Sequence, residues 1–105
     1  MLTYSYKIVM QTPLGPRKGS LYLEISENKV TGYLGLLGNR NSFSGKIDRK
    51  GCCKIHGQII TLMRTIEYTG TGHADENSVE LTLQGVRDIF YLKGTAYLIS
   101  KGEHT

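Results

Sequence analysis

The sequence has no tryptophan, two prolines, two cysteines and no long hydrophobic run. No stretch approaches the roughly 20 consecutive apolar residues of a membrane-spanning helix, and the N-terminal segment lacks the apolar run of a signal peptide. The cysteines, Cys52 and Cys53, are neighbours, and a bond between them would strain a strand, which excludes a disulfide framework. We therefore expect a cytoplasmic protein with free thiols and no membrane association.

Length and charge set few further limits. At 105 residues the chain is long enough for one domain, which we expect to span residues 1–105 with a frayed tail at 101–105. Thirteen basic and nine acidic residues give a formal net charge of +4, which permits an anionic partner without requiring one.

Glycine recurs at nearly constant intervals along the chain. The interval is about 13 residues, the length of one strand and one turn, and the chain holds about eight such units. Glycine weakens a strand interior, so inward glycines mark positions where a narrow barrel bends or two backbones approach closely. The recurring residues are Gly19, Gly32, Gly45, Gly57 and Gly70, and Gly94 follows two intervals later.

Alternating apolar and polar residues predict strands whose register follows from the turns between them. A turn at Glu27–Asn28 sets Leu21 opposite Leu34, with both side chains on the same apolar face. A turn at Gly38–Asn39, a favoured hairpin dipeptide, then predicts Leu34 opposite Phe43. Both pairings keep the apolar side chains on one face of the sheet.

A three-residue loop at 49–51, with glycine as its left-handed residue, predicts Ile47 opposite Cys53. Cys53 then faces the core and Cys52 faces out, because successive side chains on a strand point to opposite faces. Glu76–Asn77 predicts a later turn. The predicted strands are 4–11, 20–26, 29–37, one between the turns at 38–39 and 49–51, 53–60, 64–74, 79–83 and 89–100.

Eight antiparallel strands in an up-and-down meander bring the last strand beside the first, so the sheet can close into a small barrel without edges. We predict this all-β, calycin-like closed barrel. An open curved sheet and a β-sandwich are the alternatives. No segment of useful length has helical periodicity.

Three segments, Thr12–Gly19, Leu36–Gly38 and Thr61–Ile66, resemble those of short uncharacterised β-rich proteins of anaerobic Firmicutes. The resemblance covers most of the chain, consists of strand and turn patterns, and implies no activity. In architecture the chain also resembles small calycins of the avidin and lipocalin type. Because it has none of the tryptophan that marks their first strand, their ligands do not transfer to it.

A first candidate site lies at one end of the predicted barrel. Arg64 is at a strand entrance and shares the inward parity of Ile66, and an arginine at a barrel mouth can hold a carboxylate or phosphate through two N–H groups. Inward Tyr4, Tyr6 and Tyr68 would add hydroxyls. In the alternative interpretation, Arg64 belongs to the loop and reaches solvent, and the tyrosines fill the core.

A second candidate surface is a basic hairpin in which Asp48 is the one acidic residue. Outward Tyr22 and Tyr33 lie on neighbouring strands, and basic side chains beside stacking aromatics are typical of sequence-tolerant nucleic-acid binding. A charged hairpin tip also serves solubility alone, so nucleic acid is the alternative partner. The basic residues are Arg40, Lys46, Arg49, Lys50 and Lys54.

The last strand is unusually apolar on its predicted outer face, where only Lys93 and Thr95 interrupt the apolar side chains. Contiguous exposed apolar residues are typical of association surfaces, so we expect a homodimer, although monomers also expose such residues singly. The predicted interface residues are Ile89, Tyr91, Tyr97 and Ile99.

Catalytic and metal patterns are weak. Cys52 and His56 would lie about 13 Å apart along one strand, too far to share a zinc ion. Ser44 opposite His56 resembles half of a nucleophilic triad, but no carboxylate is placed to orient the histidine. We expect no metal, no cofactor and no enzymatic activity. The sequence favours a binding module that takes a small amphipathic or anionic ligand at a barrel end, or a protein partner.

Overall fold

The computed structural model describes residues 2–36, 38–61 and 63–100, with side chains up to Tyr97. The strands are β1 (Leu2–Thr12), β2 (Gly15–Ser26), β3 (Lys29–Leu36), β4 (Asn39–Ile47), β5 (Cys52–Ile60), β6 (Thr65–Ala74), β7 (Ser78–Gln84) and β8 (Ile89–Ser100). Each pairs antiparallel with the next, and β8 pairs with β1, which confirms the predicted closed meander and excludes an open sheet or a sandwich. The described part of the chain contains no helix able to span a membrane.

Two of the three predicted registers are confirmed. Leu21 pairs with Leu34, as the turn between β2 and β3 requires. Ile47 pairs with Cys53, and the φ of Gly51 is 89°, the left-handed value expected of the glycine that closes this loop.

The register of β3 against β4 differs from the prediction by two residues. Leu34 pairs with Asn41 instead of Phe43. The reason is that Asn39 pairs with Leu36 and belongs to β4, so the turn lies one residue earlier than the predicted turn at Gly38–Asn39. Gly38 is the second residue of this turn and has a left-handed φ of 78°. A shift of two residues leaves every side chain on its predicted face, but it brings the polar Asn41 opposite a core leucine.

One inward row of the barrel alternates glycine with aromatic residues. Gly32 pairs with Phe43, Phe43 with Gly57, and Gly57 with Tyr68. A Cβ atom at Gly57 would lie 2.8 Å from the Tyr68 hydroxyl and 2.9 Å from the Cβ of Phe43. The aromatic rings therefore occupy the space that glycine leaves, which confirms the predicted close approach in this row.

The middle of the barrel is filled and its two ends differ. Fully buried side chains in the middle include Leu21, Leu34, Ile55, Leu83 and Leu92. The end that we call the apolar end has the loops 13–14, 37–38, 61–64 and 85–88. The opposite end, which we call the polar end, has the loops 27–28, 48–51 and 75–77. A ligand therefore has to enter from one of these ends.

Candidate functional site

The apolar end opens into a cavity of about 480 Å³, a volume within the usual range of small-molecule sites. Inward side chains of five strands form its wall: Met10, Leu36, Ile59, Ile66 and Phe90. The rim carries both apolar and charged side chains: Pro13, Leu14, Met63, Arg17, Arg64 and Asp88. The cavity thus combines an apolar wall with a charged rim.

Asn41 is a buried polar side chain near this mouth, with 3% of its surface exposed. Its Nδ2 donates to the carbonyl oxygen of Leu34 at 3.0 Å, and its Oδ1 accepts the backbone N–H of Ile60 at 2.9 Å. One β4 side chain thereby joins β3 to β5. Sequence reasoning missed it, because the predicted register put Phe43 opposite Leu34. Its inward parity, shared with Ile47, was the available signal.

Arg64 lies at the barrel mouth, as predicted, but its side chain is 53% exposed instead of pointing inward, which fits the alternative that it belongs to the loop. β6 begins at Thr65, so Arg64 belongs to the 61–64 loop and the strand parity does not apply to it. Its Nη2 donates to both carboxylate oxygens of Asp88, at 2.8 and 3.0 Å. Arg64 therefore binds a carboxylate of the protein itself and not one of a ligand. Asp88 is only 15% exposed, and the arginine compensates its charge.

Arg17 is the second guanidinium of the rim, and it was not among the predicted site residues. It is the third residue of β2, and its Nη1 donates to the carbonyl oxygen of Pro16 at 3.2 Å. Among the described residues, no carboxylate lies within ion-pair distance of it. Since Asp88 compensates Arg64, the mouth keeps one uncompensated positive charge.

Two of the three tyrosines predicted beside Arg64 lie at the other end of the barrel, so the predicted grouping is wrong. Tyr4 and Tyr6 lie in the first half of β1, at the polar end, with ring centroids 6.1 Å apart. The Tyr6 hydroxyl donates to the carbonyl oxygen of Asp75 at 2.6 Å, and burial raises its pKa. Tyr68 lies below the mouth. Its buried hydroxyl has no partner among the described residues, and burial raises its pKa too.

The predicted basic hairpin is divided between the two ends. Arg40 is the second residue of β4, at the apolar end. The other four residues lie toward the polar end: Lys46, Arg49, Lys50 and Lys54. Lys46 pairs directly with Lys54, and Lys29 pairs with Lys46 on its other side. Like charges opposite each other destabilise a sheet, and no described carboxylate forms an ion pair with these three lysines. We call this trio the lysine row.

The predicted outward aromatics, Tyr22 and Tyr33, stack on each other on the same outer surface. Their ring centroids are 5.3 Å apart with an interplanar angle of 28°, and the guanidinium carbon of Arg40 lies 4.8 Å from the Tyr33 centroid. The Tyr22 hydroxyl donates to Glu24 at 2.9 Å. Each ring therefore has neighbours within the protein, which reduces the ring surface left for a base.

The predicted outer stripe of β8 is exposed in its described part. Ile89, Tyr91 and Tyr97 are 44%, 55% and 56% exposed, which confirms their outward parity. The side chain of Ile99 lies outside the described residues. Lys93 interrupts the stripe and its Nζ lies 3.7 Å from a carboxylate oxygen of Glu80. The role of the stripe as an interface stays a prediction.

The two thiols face opposite sides of β5, as predicted. Cys52 is exposed, while Cys53 is half-buried and packs against the core. Burial raises the pKa of the Cys53 thiol to about 11. Across from Cys52 is His73, whose Nε2 lies 2.6 Å from the carbonyl oxygen of Lys50. The described residues contain no cluster of three side chains that could hold a metal ion.

Comparison with known proteins adds the fold alone. The sequence matches no protein-family model and no curated protein. A solved structure described as a redesigned beta barrel is similar to this chain, with a TM-score of 0.61 and 12% sequence identity. The similarity covers 94% of this chain and 90% of that one. An identity this low supports the barrel architecture and carries no ligand across.

Proposed function

We propose that this protein is a cytoplasmic, non-enzymatic binding module whose ligand is a small amphipathic anion held at the apolar end. The observation that carries the proposal is the cavity of about 480 Å³, which has an apolar wall and a cationic rim. Sites of this kind bind ligands through apolar contact area and use a few polar groups to orient them.

Arg17 is the residue that would orient the ligand. Asp88 already compensates the charge of Arg64, and displacing it would leave a largely buried carboxylate without its partner. Arg17 has no such carboxylate among the described residues, so its planar guanidinium is available for a carboxylate or phosphate. The apolar part of the ligand would then lie against Leu36, Ile66 and Phe90.

Titration calorimetry with octanoate and with its neutral amide tests this assignment. We expect octanoate to bind more tightly than octanamide, because only the acid forms a charge-assisted hydrogen bond. Arg17→Gln should weaken octanoate binding by roughly 10-fold or more and leave octanamide binding nearly unchanged. Lys18→Gln is the matched control, since Lys18 is the next residue on β2 and is exposed. Octanoate binding that Arg17→Gln leaves intact would contradict the proposal.

A second candidate function is binding of a nucleic acid or another polyanion on the outer surface of β3, β4 and β5. The lysine row favours it, because three adjacent cations without ion-pair partners would gain from neutralisation by phosphates. The stacked tyrosines lie on the same surface, although neighbouring side chains cover part of their rings.

Binding of a short oligothymidine, measured by fluorescence anisotropy, tests this second function. Phosphate neutralisation by the row predicts affinity that falls steeply with salt, and Lys46→Gln should reduce the salt dependence by about one counterion. Lys93→Gln removes an exposed lysine that lies outside the row and should change neither quantity. No binding at low salt would rule this function out.

A further inference from the structure

The loops of the apolar end expose large apolar side chains at their tips. Leu14, Met63 and Val86 are 83%, 91% and 97% exposed, more than any other large apolar side chain that the structure describes. Each belongs to a different loop, and all three loops lie at the same end of the barrel. The loops of the polar end contain no large apolar residue.

Arginine is concentrated at the same end. Four of the five arginines of the chain lie in its loops or within three residues of them: Arg17, Arg40, Arg64 and Arg87. The acidic residues of the same region are Glu67 and Asp88, and Asp88 is paired with Arg64. The rigid fork of a guanidinium suits phosphate oxygens better than an ammonium group does. The apolar end therefore joins exposed apolar tips to an excess of phosphate-binding groups.

We propose that the apolar end docks on an anionic phospholipid surface. Leu14, Met63 and Val86 insert at the boundary between headgroups and acyl chains, and the surrounding arginines contact lipid phosphates. A symmetric contact with a second copy is disfavoured, since it would bring two arginine-rich ends together. Sequence patterns predicted no membrane partner, because single apolar residues in separate loops form no continuous run. The docking requires no ligand in the cavity, so it stands independently of the proposed function.

Co-sedimentation with lipid vesicles tests the docking. We expect binding to vesicles of phosphatidylcholine with added phosphatidylglycerol and weak binding to phosphatidylcholine alone, with affinity falling as salt increases. The triple variant Leu14→Ser, Met63→Ser and Val86→Ser should partition at least about 10-fold less. The matched control replaces two exposed apolar residues farther from this end, Val9 and Tyr97, with serine. It should bind like the unmodified protein.

Single charge variants test the arginines separately. Arg87→Gln should weaken binding to anionic vesicles roughly fivefold, whereas Arg49→Gln at the polar end should leave it unchanged. Equal losses in the loop triple and in the Val9 and Tyr97 control, or equal binding to neutral and anionic vesicles, would overturn the proposal. The proposal would also be overturned if the protein formed a dimer without lipid and only the loop triple abolished that dimer. The surface would then be a contact with a second copy of the chain. Circular dichroism establishes that each variant is folded, and octanoate titration without vesicles keeps the cavity hypothesis separate.

Discussion

At the two ends of the barrel, different side-chain groups form hydrogen bonds to the backbone of the turns. At the polar end carboxylates accept the turn N–H groups: Asp75 Oδ1 accepts those of Asn77 and Ser78, at 2.8 and 2.9 Å. At the apolar end, a threonine hydroxyl accepts a backbone N–H group in the 61–64 loop. Thr61 Oγ1 accepts the N–H of Arg64 at 3.0 Å and donates to the carbonyl oxygen of the same residue at 2.8 Å.

The same contrast recurs in other loops. Asp48 Oδ1 accepts the N–H groups of Lys50 and Cys52 at the polar end, whereas Thr12 Oγ1 accepts that of Leu14 at the apolar end. Hydroxyl-based turns place no negative charge beside the mouth. These two loops can therefore carry apolar side chains next to arginines, the combination that the proposed docking on lipid requires.

The largest effect is expected from the buried amide at the apolar end. Asn41→Ala removes the hydrogen bonds to the Leu34 carbonyl and the Ile60 N–H. We expect a loss of about 2–4 kcal/mol in the free energy of unfolding, measured by urea denaturation. Asn39→Ala is the control, because its exposed side chain makes only a 3.5 Å contact with the Ile60 carbonyl. Equal losses in the two variants would show that this end does not depend on Asn41.

Thiol labelling reports how tightly the polar end is closed. Cys53 packs against the core and its thiol pKa is raised to about 11, so little thiolate is present near neutral pH. We expect Cys52 to react with a disulfide reagent roughly 100-fold faster than Cys53 in the native protein. The rates should converge in urea. Equal native rates would show that the start of β5 opens frequently.

The carboxylate turn makes the stability of the polar end depend on pH. Backbone hydrogen bonds from Ser78 and Asn77 lower the pKa of Asp75 below its usual value. Its contribution is therefore present above the unfolded-state pKa and is lost as the pH falls through the lower folded-state pKa. The side chain is 44% exposed, so we expect Asp75→Asn to cost at most about 1 kcal/mol at pH 7.

That cost of Asp75→Asn should disappear in acid, as measured by denaturation at a series of pH values. Thr61→Ala provides the contrast at the apolar end, because a hydroxyl does not titrate in this range and its loss should cost the same throughout. A pH-independent cost for Asp75→Asn would mean that the charge of the carboxylate does not contribute to the turn.

The smallest effect is expected on the outer face of β8. If the β8 stripe forms a dimer, replacing Ile89 and Tyr91 with lysine should give a folded monomer in sedimentation experiments. The dimer is expected to be weak, because association costs offset much of the free energy gained from buried apolar area. A protein that is monomeric without these substitutions at high micromolar concentration would contradict the interface.

The strand order, the faces and two turn registers could be predicted from the sequence, because period-two patterning and turn residues act locally. The predicted register of β3 against β4 was wrong. The turn can be placed one residue earlier, so that Leu36 pairs with Asn39, and the resulting two-residue shift leaves every side chain on the same face of the sheet. The predicted start of β2 at residue 20 was also wrong. β2 begins at Gly15, because pairing with β1 outweighs the unfavourable glycine and proline residues of this segment. Arg17 and Arg64 could not be assigned, since their roles depend on where Asp88 lies in space.

Closure of β8 on β1 decides when this protein can fold during synthesis. Every other ladder joins neighbours in the chain, but this one joins residues from its two extremes, such as Tyr4 and Ile99. Until β8 has left the ribosome, one edge of β1 has no partner and is open to pairing with another nascent chain. Completion of the barrel is therefore a late step of folding, and its long-range contacts favour slow folding.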